Sequence, residues 1–272
     1  MKDTSYYKTV CKDGRRFFTK IKDSNTDLRS FVFQTYLNEN LTDSFNICKP
    51  IKITTNGSEW HLKYEHLPEI EAFIDDKVAR QLGEYTAKLH NFCAEHIDKI
   101  NLPTKNRVIA MGHWEHIESS PLKDEAFKQR VELIKKLDIY DVSHLLIPVH
   151  RDLKLRNILF DGKTFNLIDF DFAAIDDISI ELGSFIADMF HEHRKLNKIK
   201  HFIKGYKSNS TLNINWSSVM NNYLIYMCCN TFPFYMKDAI SDRDFKSLVK
   251  ERNDKLSLIT LFKKSIDEII QG

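Results

Sequence analysis

Glycine and proline are scarce in this chain, which contains 8 glycines and 6 prolines among 272 residues. Flexible linkers and low-complexity segments depend on such residues, and no stretch of the sequence concentrates them. No internal repeat is visible, which argues against a solenoid. With 42% hydrophobic residues, the chain can bury a core as one large domain or as two lobes.

The chain also has few cysteines and a small net charge. The five cysteines are odd in number and include no C-x-x-C pair, which argues against a zinc site or a disulfide framework and indicates reduced thiols. The net charge of +2 creates no field that would attract nucleic acid. No apolar run approaches the about 20 residues of a membrane span, and the N-terminus lacks the apolar region of a signal peptide. We therefore expect a cytoplasmic protein without a nucleic-acid partner or a membrane span.

The first third of the chain has the pattern of strands around one helix. Lys-Asp-Gly at residues 12–14 is a turn signal between two strand candidates, and residues 26–41 follow with helical spacing of apolar residues. Two further strand candidates, residues 47–54 and 58–67, flank the turn signal Asn-Gly at residues 56–57. This part is therefore predicted to be a small β-rich lobe.

The remainder of the chain is predicted to be mainly helical. Helical spacing begins at residue 75, a polar loop covers residues 101–122, and residues 123–138 form another helix. After Leu182 the pattern is helical except for a polar loop at residues 207–215.

The two parts meet where Pro68 ends the last predicted strand. We expect an α+β protein with an N-lobe of residues 1–66, built on a small antiparallel sheet, and a larger, mainly α-helical C-lobe of residues 67–272.

Residues 148–174, PVHRDLKLRNILFDGKTFNLIDFDFAA, combine acidic groups with a hairpin. Two short apolar runs flank the turn residues 161–163. Antiparallel pairing about this turn sets Asn157 beside Asp169, and Asp152 lies on the loop that leads to the same end. One amide and two carboxylates in this arrangement suit Mg²⁺ held partly by the phosphates of a substrate.

Residues 150–157, HRDLKLRN, match the kinase catalytic loop H-R-D-x-x-x-x-N, and a metal-binding aspartate would follow at Asp169. The resemblance implies that Asp152 accepts or orients the proton of an attacking hydroxyl group. It also implies that Lys154 steadies the transferred phosphoryl group, while Asn157 and Asp169 hold Mg²⁺ against the phosphates of ATP.

The residues after Asp169 separate small-molecule kinases from protein kinases. A protein kinase carries D-F-G, a long activation segment and A-P-E. This chain has D-F-D instead, and it has no proline between Pro148 and Pro233, so A-P-E is missing. Arg151, which pairs with a phosphorylated activation segment in regulated protein kinases, is therefore expected to form a local structural ion pair.

Residues 168–185, IDFDFAAIDDISIELGSF, resemble the aminoglycoside phosphotransferase and choline kinase family, as does the helix LGEYTAKLH at residues 82–90. Glu181 stands where that family more often has aspartate. The resemblance implies a two-lobed, protein kinase-like fold. It also implies ATP- and Mg²⁺-dependent transfer of the γ-phosphate to a hydroxyl group of a small molecule.

The C-terminal region bears on the acceptor. Residues 194–272 contain 14 Lys and Arg against 7 Asp and Glu, a net charge of +7. This region lines the acceptor site in the family, and polycationic aminoglycosides need an acidic one. The positive charge therefore argues against an aminoglycoside and for a neutral or anionic hydroxyl compound. Among the acceptors that the resemblance implies, we expect a sugar, an amino alcohol or a similar compound in preference to an aminoglycoside.

In the N-lobe, Lys20 occupies the place of the lysine that contacts the ATP phosphates. Lys22 lies on the same face of the strand but lacks the apolar flanks of Lys20. The carboxylate that would orient this lysine stays open, because Gln34 occupies the natural register in the helix and Glu39 is the other option.

The resemblance also implies that the backbone of Glu65, His66 and Leu67 contacts the edge of adenine. No glycine precedes Gly14, so the N-lobe lacks a clear Gly-rich phosphate loop and is abbreviated.

Two further functions remain open at this point. The protein-kinase spelling HRDLK and the basic C-terminal region are compatible with an atypical protein or glycan kinase. The missing Gly-rich loop is compatible with a catalytically weak pseudokinase that acts as a binding module.

Overall fold

The computed structural model describes residues 6–12, 15–67, 74–105, 145–160, 164–193, 196–229, 265 and 268–269. A β-rich lobe precedes a mainly helical one, so the expected two-part α+β architecture is confirmed. The predicted helix at residues 123–138 lies outside the described residues. None of the described helices is both long enough and apolar enough to cross a membrane.

The N-terminal lobe is an antiparallel sheet with one helix. Its elements are β1 (Tyr6–Lys12), β2 (Arg15–Asp23), α1 (Arg29–Asn40), β3 (Asn46–Ile47), β4 (Lys52–Thr55) and β5 (Glu59–Glu65). Four strands pair in the order β1-β2-β5-β4. The predicted turn between β4 and β5 is confirmed: Gly57 has a φ of +93°, and the side chain of Asn56 accepts a hydrogen bond from the backbone of Glu59.

Two boundaries differ from the sequence prediction. The helix begins at Arg29 and not at residue 26, because Asp27 accepts a hydrogen bond from the Arg29 backbone and Thr26 belongs to the preceding turn. The predicted strand at residues 47–54 is split by Pro50, which has no backbone N–H to donate. Only its second half, β4, joins this sheet; Ile47 pairs elsewhere, as part of β3.

In the part of the C-terminal lobe that the structure describes, there are four short strands and four α-helices. They are α2 (Asp76–Glu95), β6 (Leu146–Val149), β7 (Ile158–Phe160), β8 (Phe165–Leu167), β9 (Ala174–Asp177), α3 (Ile178–His193), α4 (Leu196–Asn209) and α5 (Trp216–Cys229). β3 pairs in parallel with β8, which forms a hairpin with β7, while β6 pairs with β9.

The helices α2 and α4 approach each other at two glycines. A Cβ atom on Gly83 would lie 2.0 Å from the carbonyl oxygen of Phe202, and one on Gly205 would lie 2.1 Å from the carbonyl oxygen of Arg80. No side chain fits at either position. The glycine of the LGEYTAKLH segment is thus required by helix packing, which brings His90 of α2 into the core.

A buried hydrogen-bond chain connects three helices to the loop after β6. His90 Nε2 lies 2.8 Å from Glu181 Oε1, and His90 Nδ1 lies 3.0 Å from the hydroxyl group of Tyr206. The second oxygen of Glu181 accepts a hydrogen bond from the backbone N–H of Arg151. Because a carboxylate only accepts, His90 donates to Glu181 through Nε2, and in a neutral imidazole Nδ1 is then the acceptor toward Tyr206.

Arg151 has an unusual backbone conformation, with a φ of +64°. Such a conformation costs about 1–3 kcal/mol for a residue other than glycine, so the surrounding structure must hold it. Its backbone is held by Glu181, and its Nε atom forms an ion pair of 2.8 Å with Asp176 at the end of β9. The expected local ion pair of Arg151 is therefore present.

The glycine contacts between α2 and α4 can be tested by substitution with alanine, which should destabilise the protein although it usually stabilises a helix. Glycine to alanine usually stabilises a helix by up to about 1 kcal/mol. At Gly83 or Gly205 alanine should instead lower the free energy of unfolding by about 2–3 kcal/mol, because the added methyl group meets backbone atoms of the other helix. Urea denaturation measures the change. The exposed Lys200→Ala in α4 is the control, and a gain in stability at Gly83 would contradict this packing.

Glu181→Gln tests the hydrogen-bond chain. His90 and Arg151 contact different oxygens of Glu181. In glutamine one of these positions becomes an amide NH2, which cannot accept the hydrogen bond. We expect the free energy of unfolding to fall by about 1–2 kcal/mol, since a buried donor stays unpaired. The matched control is Glu95→Gln at an exposed position of α2. Equal urea midpoints for the two variants would show that the chain contributes nothing.

Candidate active site

The β7–β8 hairpin brings the loop of Asp152 and the segment of Asp169 to one end. Ile158 pairs with Leu167, and the backbone of Ile168 donates to the carbonyl oxygen of Asn157 at 3.0 Å. Asn157 therefore lies opposite Ile168, one residue before the predicted position. Asp169 follows directly.

His150 attaches the loop to the hairpin. Its Nε2 atom lies 2.8 Å from the carbonyl oxygen of Ile168, and its Nδ1 atom accepts from the backbone N–H of Asp152 at 3.2 Å. A neutral imidazole with its hydrogen on Nε2 satisfies both contacts. The ring is almost fully buried and packs against Phe170 at a centroid distance of 4.5 Å. The direction of the Asp152 backbone is fixed in this way.

The Asp152 carboxylate is held in its ionised form. Lys154 pairs with one oxygen, while Asn157 donates to the other at 2.9 Å and Arg156 at 3.3 Å. Burial opposes ionisation, but the hydrogen bond and positive charge of Lys154, with smaller contributions from Asn157 and Arg156, outweigh it. The pKa of Asp152 therefore lies below its usual value.

The N-terminal sheet contributes Lys20 to the same region. Its Nζ atom lies 2.8 Å from Asp169 Oδ1 and also pairs with Asp171 Oδ2. Burial alone would lower the pKa of Lys20, but the two carboxylates raise it above its ordinary value, so the ammonium group stays charged. A strand of the first lobe and a turn of the second are thereby joined across 149 residues of sequence.

Neither expected helix partner of Lys20 reaches it. The Gln34 amide donates to the carbonyl oxygen of Cys48. Glu39, the one acidic residue of α1, is exposed and pairs with Lys49 at 3.1 Å. The carboxylates beside Lys20 come from the second lobe instead.

The predicted adenine-contacting residues lie at the end of β5. Glu65 and His66 are exposed and Leu67 is half-buried. Leu62 pairs with Lys20 in the sheet, and Glu65 lies about 10 Å further along the strand at the usual rise per residue. The sheet therefore aligns this segment with Lys20.

The oxygen donors at the hairpin end fit Mg²⁺. Both contacts made by the Asn157 nitrogen go to Asp152, which leaves the amide oxygen as a possible ligand. Asp169 is one-third exposed, and Lys20 contacts only one of its carboxylate oxygens. Within the described ranges, no three His, Cys, Asp or Glu side chains cluster as metal ligands. An amide and a carboxylate oxygen that leave room for phosphates and water are what Mg²⁺ accepts.

Two residues of the cluster were not assigned from the sequence. From the sequence, Lys22 is the poorer candidate for the phosphate lysine, and Asp171 is expected either to help the metal site or to form a local hydrogen bond. In the structure, Lys22 Nζ lies 2.5 Å from Asp171 Oδ2. The spacing of the charges could have indicated this contact. K-I-K on β2 has two lysines two residues apart, and D-F-D in the turn after β8 has two aspartates at the same spacing. Matching the two patterns required knowing that the strand faces the turn.

Comparisons with known proteins identify the family of the chain. A sequence profile of the phosphotransferase enzyme family matches residues 13–212. No curated protein matches the chain by sequence.

Solved structures match almost the whole chain. A microcompartment-associated aminopropanol kinase shares 12% identity at a TM-score of 0.68, covering 97% of this chain and 94% of its own. The spectinomycin phosphotransferase APH(9)-Ia, solved with ADP and spectinomycin, shares 13% identity at a TM-score of 0.63, and the match covers 92% of this chain and 85% of that one. An amicoumacin kinase, solved with AMP-PNP and Ca²⁺, shares 17% identity at a TM-score of 0.62, and the match covers 94% of this chain and 87% of that one.

Aminoglycoside phosphotransferases and a choline/ethanolamine kinase family protein also match in structure. At these identities the structures show the fold, which is the protein kinase-like fold of these enzymes, as the sequence motifs implied. The profile match covers well over half of the 272 residues and identifies the enzyme class as a kinase. The chain belongs to the phosphotransferase enzyme family.

Proposed function

We propose that this chain transfers the γ-phosphoryl group of ATP, in the presence of Mg²⁺, to a hydroxyl group of a small molecule. The observation that carries the proposal is the 2.8 Å ion pair between Lys20 and Asp169, because it joins the N-terminal sheet to the hairpin end that bears the Asp152 loop. Phosphoryl transfer depends mainly on positioning and charge neutralisation. The nucleotides bound to two structural neighbours support this reaction.

Asp152 orients the acceptor in this proposal. Its lowered pKa makes it a weak base, so it holds the hydroxyl hydrogen and receives the proton only as the new P–O bond forms. The bond from the γ-phosphorus to the bridging oxygen breaks, and ADP leaves with those electrons. Lys154, already paired with Asp152, neutralises negative charge beside the transferred group.

Asn157 and Asp169 hold Mg²⁺ in this scheme, and the metal neutralises charge on the phosphate oxygens when bound. Lys20 contributes its positive charge to the same phosphates. The backbone of residues 65–67 contacts adenine, so residues 1–66 form the nucleotide-binding lobe, and residues 67–272 carry the catalytic loop and the acceptor site. A cytoplasmic location remains a prediction from cysteine usage.

The acceptor is a sugar, an amino alcohol or a similar hydroxyl compound. The net charge of +7 in residues 194–272 disfavours a polycationic aminoglycoside. The aminopropanol kinase and the choline/ethanolamine kinase family protein among the structural neighbours support an amino alcohol.

Asp152→Asn tests the catalytic role. The amide preserves the size and the contact with Asn157 but cannot take the proton, so ADP formation with a panel of sugars, amino alcohols and aminoglycosides should fall about a hundredfold or more. The melting temperature and nucleotide affinity should stay close to those of the wild type.

Asp98→Asn, at an exposed position after α2, is the control for this experiment. Retained turnover in Asp152→Asn would overturn the mechanism. Phosphate appearing on a protein or polysaccharide would favour the atypical kinase, and nucleotide binding without turnover by the wild type would favour a binding module.

Asp169→Asn tests the metal site through nucleotide binding alone. ATP at about 100 times its dissociation constant should add about 2.7 kcal/mol to the stability of the wild type, a rise of several degrees in melting temperature. The variant should lose the part of this rise that depends on Mg²⁺, because one ligand is gone. An equal rise with EDTA in place of Mg²⁺ would contradict the metal role, and no rise with the wild type would contradict the nucleotide site.

A further inference from the structure

Two lysines of one strand meet two aspartates of one turn. Lys20 and Lys22 are 4% and 6% exposed, and their side chains extend from the same face of β2. Lys20 Nζ contacts both Asp169 Oδ1 and Asp171 Oδ2, and Lys22 Nζ contacts the same Asp171 oxygen at 2.5 Å. Asp171 is therefore shared by two ammonium groups.

In protein kinases, a helix glutamate orients the lysine that contacts the phosphates. Helix α1 cannot supply one here, because its single acid, Glu39, pairs with Lys49 on the surface, and Gln34 donates to Cys48. Asp169 is the proposed Mg²⁺ ligand, so its charge is also required elsewhere. Of the carboxylates in contact with Lys20, Asp171 has no other proposed task.

We infer that Asp171 is a positioning residue that takes the place of the helix glutamate and holds Lys20 toward the phosphates of the nucleotide, with Lys22 balancing its charge. The inference rests on the proposed function and adds a role to the same site. Asp171 acts through Lys20 and is not itself in contact with the substrate.

Lys22 explains how a second carboxylate is tolerated next to a polyphosphate. A lone Asp171 would repel the phosphates, and its attraction for Lys20 would be offset by that repulsion. With Lys22 bound to the same oxygen, two positive charges face one negative charge, and the group keeps a net attraction for the nucleotide. The 6% exposure of Lys22 also means that it needs Asp171 as a partner, since a buried unpaired charge is costly.

Because Lys22 needs Asp171 as a partner, the experiment cannot replace Asp171 alone. Asp171→Asn alone would leave Lys22 buried without its partner and could unfold the chain. Lys22→Met is therefore used as the common background, in which Asp171 still pairs with Lys20. Four proteins are compared: the Lys22→Met background, and that background with Asp171→Asn, with Lys20→Met, or with both.

Calorimetry of ADP with Mg²⁺ measures the coupling between Asp171 and Lys20. Asp171→Asn should weaken binding about tenfold while Lys20 is present, and by no more than about twofold once Lys20 is methionine. A merely structural role would give the same loss in both cases and would overturn the inference. Lys52→Met, at an exposed position of β4, is the lysine control and should leave binding unchanged.

A second readout needs no nucleotide. Lys20 is protected from acetic anhydride while Asp171 holds it, so acetylation of Lys20, followed by mass spectrometry, should be severalfold faster after Asp171→Asn in the Lys22→Met background. Unchanged acetylation would overturn the inference. If the wild type binds no nucleotide, the proposed function fails, and the acetylation rates alone decide whether Asp171 holds Lys20.

Discussion

A single buried carboxylate, that of Glu181, connects the helical core to the loop that carries Asp152. One oxygen binds His90 of α2 and the other holds the backbone of Arg151 in its left-handed conformation. His90 reaches this position because Gly83 lets α2 lie directly against α4. Removal of the glycine contact would displace the histidine, and the loop would lose one of its contacts with the helical core. Helix packing far from the site therefore contributes to the position of the loop that carries Asp152.

The second connection is electrostatic and joins the two lobes. Lys20 and Lys22 extend from β2 to Asp169 and Asp171 in the turn after β8. The two carboxylates offset the cost of burying the two ammonium groups, which are almost fully buried. Hydrogen bonds and packing hold the loop that carries Asp152, and ion pairs align β2 with it.

Much of this arrangement could be predicted from the sequence, because local rules govern it. The hairpin turns, the start of α2 near Asp75 and the order of Asp152, Asn157 and Asp169 follow from spacing along the chain. The pairing of β3 with β8 did not, since it joins Ile47 to Leu167 and no local signal encodes such a contact. The partners of Lys20 were missed for the same reason. Other kinases have a helix glutamate beside this lysine, and the prediction for α1 followed that arrangement. In this chain the carboxylates lie about 150 residues away in sequence.

The ion pair of Arg151 with Asp176 determines when the negative charge beside this loop becomes available. In many protein kinases a phosphate added after synthesis supplies the negative charge that orders the active site. Here the negative charge is a carboxylate encoded in the chain, almost fully buried at the end of β9. It is present from the moment the polypeptide folds, and neither a second enzyme nor a phosphatase can add or remove it. This ion pair of the loop therefore forms without any covalent modification.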